Sequence, residues 1–572
     1  MTALVLLLAA AVALGLDLPG QGLVLTPAIL LAPGWGWARR LGGEPLQVIV
    51  DAAWLSIVAA VPGILLVKLL GGGAWTLLGW AAAVSIPGLV LGWKQPVTPA
   101  RTGTLVAVTS TLLAVGAWAV LEQDRLNRPL DGWWHHPAAE QLPDEAIGWS
   151  AEGERRVGWP ESGAGVIEPP SSTIHFEGDG EVLLLCRGPV GATLFGETIE
   201  TDPTVEEWEG PVPRYLERGV VGALVQAETT LAVEQDGCEQ LWVLPSVDAP
   251  WSVHAAGELQ FVHYYQILNI VENQRWSEEL LDDRWLTVNQ PPLWSYVLAT
   301  ATVTRGPDLP GANALFAWIL VLLGISGARL LELVAPRAPL MAWVLPALFA
   351  LIHGKLMLEP GSTNFPDSLY ACAFVGGLIA LRQEGAWRFA LVAVLAGLLR
   401  YPGTIALSLA ALLAAGIYGR GLRPLALTWG VVAAIAAAIG LGGLLTGQFD
   451  RWLEILWFET VPEHYNNNSE AAPLWQRPPE FYATWLRYTG FGLLFVLPLA
   501  GRGARWVLGS AVVYSLFLCT IDHFPSHYFL PLLALSGVAI GANAGALRGV
   551  WSQVLPTLAA LAAAVFLWQG QL

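Results

Sequence analysis

Long apolar runs separated by short polar clusters make up most of this chain. They fall at 3–16, 22–34, 47–70, 74–93 and 103–121, then at 291–304, 312–334, 339–358, 366–381, 389–417, 423–447, 482–501, 507–520, 528–545 and 551–568. A helix needs about 20 residues to cross about 30 Å of hydrocarbon, so the runs predict a polytopic α-helical membrane protein of about 12 to 14 spans. The run 389–417 is long enough for two short helices broken at Arg400, Pro402 and Gly403, because proline removes a helix donor and clashes with the turn before it. Met1 to Gly15 lacks the basic start of a cleaved signal and is followed closely by more apolar sequence, so it reads as a first membrane segment.

The pattern changes between 122 and 290. From Ser171 to Val253 it becomes short alternating or β-branched runs, at Thr173 to Phe176, Glu181 to Cys186, Ala192 to Phe195, Val220 to Val225, Thr229 to Val233 and Gln240 to Leu244. Turn signals such as Gly178-Asp179-Gly180 and Asp236-Gly237 punctuate them, and together they predict a small β-sandwich. On one side, Asp124 to Trp159 is rich in Trp, His, Pro and charge and reads as irregular sequence at a membrane surface. On the other, Glu258 to Trp276 places Leu259, Val262, Tyr265, Leu268 and Val271 at helical spacing, as in a helix lying along the interface. The expected divisions are therefore 1–121 (transmembrane), 122–170 (irregular), 171–253 (β-sandwich), 254–290 (interfacial helices) and 291–572 (transmembrane core).

Charge sharpens this division. Residues 122 to 290 hold 31 of the 46 acidic residues and 9 of the 29 basic ones, a net −22 that leaves +5 for the remainder. Acidic sequence interrupted by Gly and Pro cannot lie in hydrocarbon, so the segment is a domain held on one side of a bilayer. The whole chain is 54% hydrophobic and 13% charged, against about a quarter charged in soluble globules. Its net charge of −17 argues against nucleic acid as a partner.

Basic residues favour cytoplasmic ends of spans. Arg39, Arg40, Lys94, Arg101, Arg382, Arg388, Arg420, Arg423, Arg502, Arg505 and Arg548 all share that side in one alternating threading, which makes the acidic domain extracytoplasmic. Residues 359–367, the Arg400 break, and the loops 448–480 and 521–527 fall with that domain. Arg329 and Arg337 do not settle: threading from the acidic domain puts them outside, threading back from Arg382 puts them inside. Either the short run 291–304 is re-entrant, or a later segment does not cross. Of the four cysteines, Cys372 and Cys519 lie in apolar runs and read as core residues. Cys186 and Cys238 lie in the acidic domain, where they are either a disulfide or two separate buried thiols.

Several polar clusters then stand out. Glu258-Leu-Gln-Phe-Val-His263-Tyr264-Tyr265 is followed by Asn289-Gln290-Pro291-Pro292-Leu293-Trp294, which opens an apolar run. Thr363-Asn-Phe-Pro-Asp367-Ser-Leu opens another, Leu399-Arg400-Tyr401-Pro402-Gly403 breaks one, and His527-Tyr528-Phe-Leu-Pro531 opens a late one. In order and spacing these resemble GT-C glycosyltransferases, the polytopic enzymes that move a sugar from a polyprenyl-phosphate carrier, and in particular the mannosyltransferase and aminoarabinose-transferase branches. The resemblance covers about 255 to 545 and leaves the N-terminal spans and the β-domain outside the common core.

The resemblance implies a GT-C type fold, a polyprenyl-phosphate sugar donor, a lipid or glycan acceptor, and membrane lipids as surroundings; a compact Ala/Gly-rich chain with few Lys points to a bacterial inner membrane. The resemblance also implies an acid just before the interfacial tyrosine. Gln260 or Phe261 stands at that position, so Glu258 is the first candidate general base, followed by Asp131 and Asp367. A departing phosphate needs a cation, and Arg400 interrupting an apolar run is the best placed. Tyr401, His263, Tyr264, Asn289, Gln290, His464, Asp522, His523 and His527 are candidate substrate contacts. Asp522, His523 and His527 also carry groups that could ligate a divalent metal, but Asp-His-x-x-x-His is not a strong metal spacing, and substrate contact is the preferred reading. A lipid-linked glycan transporter and a non-catalytic scaffold are the rival readings; the former requires ionisable pairs deep inside spans.

Overall fold

The computed structural model describes residues 2–16, 18, 21–70, 73–92, 95, 99–121, nine strand segments between 147 and 245, and 293–305, 309–357, 365–400, 403–419, 421–446, 502–518 and 529–568. The apolar runs fold as helices. They are α1 (Thr2–Gly15), α2 (Gly22–Leu30), α3 (Ala32–Leu41), α4 (Pro45–Leu70), α5 (Gly73–Gly92) and α6 (Thr102–Leu121), then α7 (Leu293–Arg305), α8 (Leu309–Val334), α9 (Leu345–Met357), α10 (Phe365–Arg382), α11 (Ala386–Leu399), α12 (Gly403–Tyr418), α13 (Arg423–Thr446), α14 (Arg502–Leu518), α15 (Leu530–Ala546) and α16 (Trp551–Trp568). Four stretches among the described residues are long and apolar enough to cross a membrane: Pro45–Val67, Gly73–Gly92, Ala314–Val334 and Arg423–Leu445. Eight further apolar helices are described over 10 to 17 residues each, against the about 20 that span 30 Å. α1 is one of these, and 22–34 divides at Leu31 into α2 and α3.

The large apolar cluster of the core runs through α8, and smaller clusters lie among α1 to α5. In the spanning part of α8, 83% of the hydrophobic window is buried, against 6% in α13, which lies at the periphery. Residue contacts fix the direction of each helix. Thr104 donates to Glu332 at 3.4 Å, Gly324 backs onto Thr111, and Trp118 meets Phe316 edge to face at 5.6 Å, so α6 and α8 run antiparallel along their whole length. Gly354 faces Trp118 and Leu320, which sets α9 antiparallel to α8, and Gly541 packs on Leu331 while Gly537 packs on Phe349.

These contacts define two ends. Arg101 pairs with Glu44, Arg388 with Asp51, and Arg329 donates to Gln47 at 3.2 Å, which gathers the start of α4, the start of α6, the end of α8 and the start of α11 at one end. The end of α6 and the beginning of α8 lie together at the other. The chain therefore leaves and returns at one end across residues 122–308, and α7, only 13 residues long, does not carry it across. Arg329 thus shares an end with Arg388.

Within the N-terminal helices the packing depends on glycine. A Cβ on Gly36 would lie 2.1 Å from the carbonyl carbon of Gly88, and one on Gly34 the same distance from the Ala52 carbonyl oxygen. Small residues allow such close backbone approach between apolar helices. The Gly34 amide also donates to Ser56 Oγ at 2.8 Å, and Trp37 Nε1 to the Val84 carbonyl.

Nine strands lie in the acidic segment: β1 (Ile147–Ala151), β2 (Gly153–Arg156), β3 (Ser172–Phe176), β4 (Gly180–Cys186), β5 (Gly191–Leu194), β6 (Glu197–Glu200), β7 (Val220–Val225), β8 (Thr229–Val233) and β9 (Cys238–Pro245). They pair in two antiparallel sheets, ordered β2-β1-β3-β8-β5-β6 and β7-β4-β9. β1 and β2 fall in the stretch expected to be irregular, and the β4–β9 register sets Cys186 opposite Cys238. Packing of one sheet on the other, as a sandwich requires, rests on side chains outside the described set.

Candidate functional site

The apolar run 389–417 does divide where its sequence implies. α11 stops at Leu399, Arg400 turns to extended backbone (φ −148°, ψ 119°), and α12 restarts at Gly403. The reversal is tight. The Gly403 amide donates to the Arg400 carbonyl at 2.7 Å, Thr404 Oγ1 donates to the Ala393 carbonyl, and a Cβ on Gly403 would lie 2.4 Å from the Ala396 oxygen. Glycine at 403 is therefore required for α12 to fold back along α11.

The break aims Arg400 at Asp367 on the first turn of α10. Arg400 Nε donates to Asp367 Oδ1 at 2.8 Å and Nη2 to Oδ2 at 2.7 Å, a two-point pairing that matches the planar fork to the carboxylate. Asp367 is 1% exposed and Arg400 9%. Two charges taken out of water persist only when paired with good geometry, as here. With both oxygens accepting from Arg400, Asp367 anchors the guanidinium.

Sequence reasoning missed the surroundings of this pair. His353 on α9 is fully buried, with Nε2 2.8 Å from Ser368 Oγ beside Asp367, and its Nδ1 has no hydrogen-bond partner among the described residues. Tyr370, one turn on from Asp367, stands 6.4 Å from Tyr514 of α14 between ring centroids. Lys355 closes the far side by donating to the carbonyls of Phe566 and Leu567 at the end of α16. A lone histidine in an apolar run has no periodicity to mark it; the only signal was its chemistry, and that was passed over.

Of the residues expected to form the site, the structure brings together Asp367 and Arg400. Glu258, Asp131, His263, Tyr264, Asn289, Gln290, Tyr401, His464, Asp522, His523 and His527 lie outside the described residues. Among the described residues no three His, Cys, Asp or Glu side chains gather closely enough to hold a metal. The Asp367 end of the bundle is the one where α6 ends and α8 begins, and hence the end from which the acidic segment departs and to which it returns.

A second buried polar cluster occupies the opposite end. Arg388 Nη2 stands 3.0 Å from Asp51 Oδ2, Gln47 donates to Asp51 Oδ1 at 2.7 Å, Arg329 donates to Gln47, and Arg329 also pairs with Glu332. The cluster ties the N-terminal helices to the core through the buried Gln47, Asp51, Arg329 and Glu332 and the half-buried Arg388. No family model matches this chain, and no curated protein or solved structure matches it.

Proposed function

We propose that the chain is an integral membrane glycosyltransferase of GT-C-like architecture that moves a sugar from a polyprenyl-phosphate carrier to a lipid or glycan acceptor. In this reading the acidic segment is an extracytoplasmic β-sandwich with interfacial flanks, and the membrane is a bacterial inner membrane. Glu258, with Asp131 as the alternative, takes the proton from the acceptor hydroxyl or amine as it attacks the anomeric carbon. The bond from that carbon to the phosphate oxygen breaks, and the polyprenyl phosphate leaves with the electron pair, its charge met by Arg400. Asp367 holds Arg400 by one edge in the required orientation.

One observation carries the proposal. The two candidate site residues that are described, 33 positions apart in sequence, meet in a buried two-point ion pair at the end of the bundle where α6 ends and α8 begins. The test is sugar transfer in liposomes from a panel of radiolabelled polyprenyl-phosphate sugars, comparing wild type with Glu258→Gln and Arg400→Ala. The expected loss is roughly 10²-fold or more in each variant, in line with removing a general base or a charge-stabilising donor. Transfer surviving Glu258→Gln moves the base to Asp131, and absence of transfer from every donor by folded wild type defeats the proposal.

The Asp51–Arg388 and Arg329–Glu332 pairs favour one rival, a transporter of lipid-linked glycans, since ion pairs among apolar helices often mark transport paths. Translocation of a fluorescent lipid-linked glycan across proteoliposomes without sugar transfer would select it.

A further inference from the structure

At the end opposite the Asp367–Arg400 pair, the turns α10–α11 and α12–α13 and the first turns of α14 enclose a concavity of about 730 Å³. Its walls carry Arg382, Arg423 and Glu384, the two tryptophans Trp387 and Trp506, and aliphatic surface including Leu427. We infer that this concavity binds a phosphate group, and that the phosphate belongs to the headgroup of a membrane phospholipid.

Four observations carry the inference. Arg382 and Arg423 have no ion-pair or side-chain hydrogen-bond partner among the described residues, whereas Arg388, Arg329 and Arg400 all do. Two guanidinium groups in one concavity with no partner among the described residues call for an anion, and guanidinium favours phosphate. Among the described lining residues Arg382, Arg423 and Glu384 leave one net positive charge, which suits a phosphate. The volume lies within the few hundred to about a thousand cubic ångströms typical of small-molecule sites.

Placement decides the source of the phosphate. Arg423 opens α13, the spanning helix with only 6% of its window buried, so the concavity continues into a long apolar face. Trp387 is 41% exposed and Leu427 39%, giving the mixed aromatic and aliphatic rim that acyl chains and headgroups both contact. A soluble phosphate has no use for that apolar continuation, whereas a glycerophospholipid lays its chains along it. Basic pockets between helices at a bilayer surface recognise headgroups in this way.

The test is native mass spectrometry of the full-length protein, delipidated in detergent and offered equal amounts of phosphatidylglycerol, phosphatidylethanolamine or diacylglycerol. A retained single phospholipid, with no retained diacylglycerol, is expected. The Arg382→Ala/Arg423→Ala variant should lower the bound fraction about tenfold or more while unfolding at the wild-type temperature in lipid-free detergent. Retention of diacylglycerol equal to phospholipid, or undiminished binding by the double variant, overturns the inference. A third arm raises inorganic phosphate to millimolar levels: no displacement of lipid is expected, and protection of the delipidated protein by phosphate with no lipid retained assigns the site to a soluble anion.

Discussion

Removing one partner of a buried ion pair leaves the other charged and unsatisfied, which costs about 3–5 kcal/mol. Asp367→Asn and Arg400→Ala should each lower the thermal unfolding midpoint of the detergent-solubilised protein by an amount of that order. The Asp367→Leu/Arg400→Met double variant, which replaces charge with apolar volume, should be more stable than either single. Glu384 makes an opposite prediction. It sits at φ 61° in the turn that ends α10, where the Gly385 amide closes on the Ala380 carbonyl and the Glu384 amide on that of Leu381. That is the position where glycine usually ends a helix, and a side chain there costs about 1 kcal/mol. Glu384→Gly should therefore raise stability by about that amount. Asp367 and Arg400 were legible in sequence because a charge at the edge of an apolar run is costly and stands out. The partnership of Arg329 with Gln47 was not, since the two residues are 282 positions apart and no local pattern announces the contact.

For the helices, legibility followed hydrophobicity. Apolar runs located nearly every one, and Pro402 with Gly403 gave the division of 389–417. Helix bounds were less legible, since the run 22–34 divides at Leu31 into two helices with nothing in its hydrophobicity to mark the break. Close approach was also invisible in the sequence: Gly36 and Gly79 look alike there, yet one meets a neighbouring backbone and the other faces open space. Gly36→Ala should therefore destabilise by about 1–3 kcal/mol, through overpacking against Gly88. Gly79→Ala, in the interior of α5, should be stabilising by roughly 0.5–1 kcal/mol. Thermal unfolding of the two variants side by side separates the packing effect from the backbone effect; equal shifts would contradict the α3–α5 contact.

For the whole molecule, the antiparallel course of α6 and α8 puts Arg337, Arg101 and Arg548 at one end. In a variant with Cys186, Cys238, Cys372 and Cys519 replaced, single cysteines at positions 101, 337 and 548 should react with a membrane-impermeant maleimide from the same side in oriented vesicles. A cysteine in the 122–290 segment should react from the other side. Labelling of position 337 from the side of the acidic segment would mean that α8 runs the other way.

Because Trp118 and Phe316 touch, the strand of chain that departs at 121 and the one that resumes at 309 emerge as neighbours. The residues between them, α7 included, form one excursion that starts and finishes at the same end of the bundle. In the history of the chain such an excursion can lengthen or shorten between fixed ends without reversing the direction of any helix that follows it. Selection can thus act on it while the Asp367–Arg400 pair keeps its geometry.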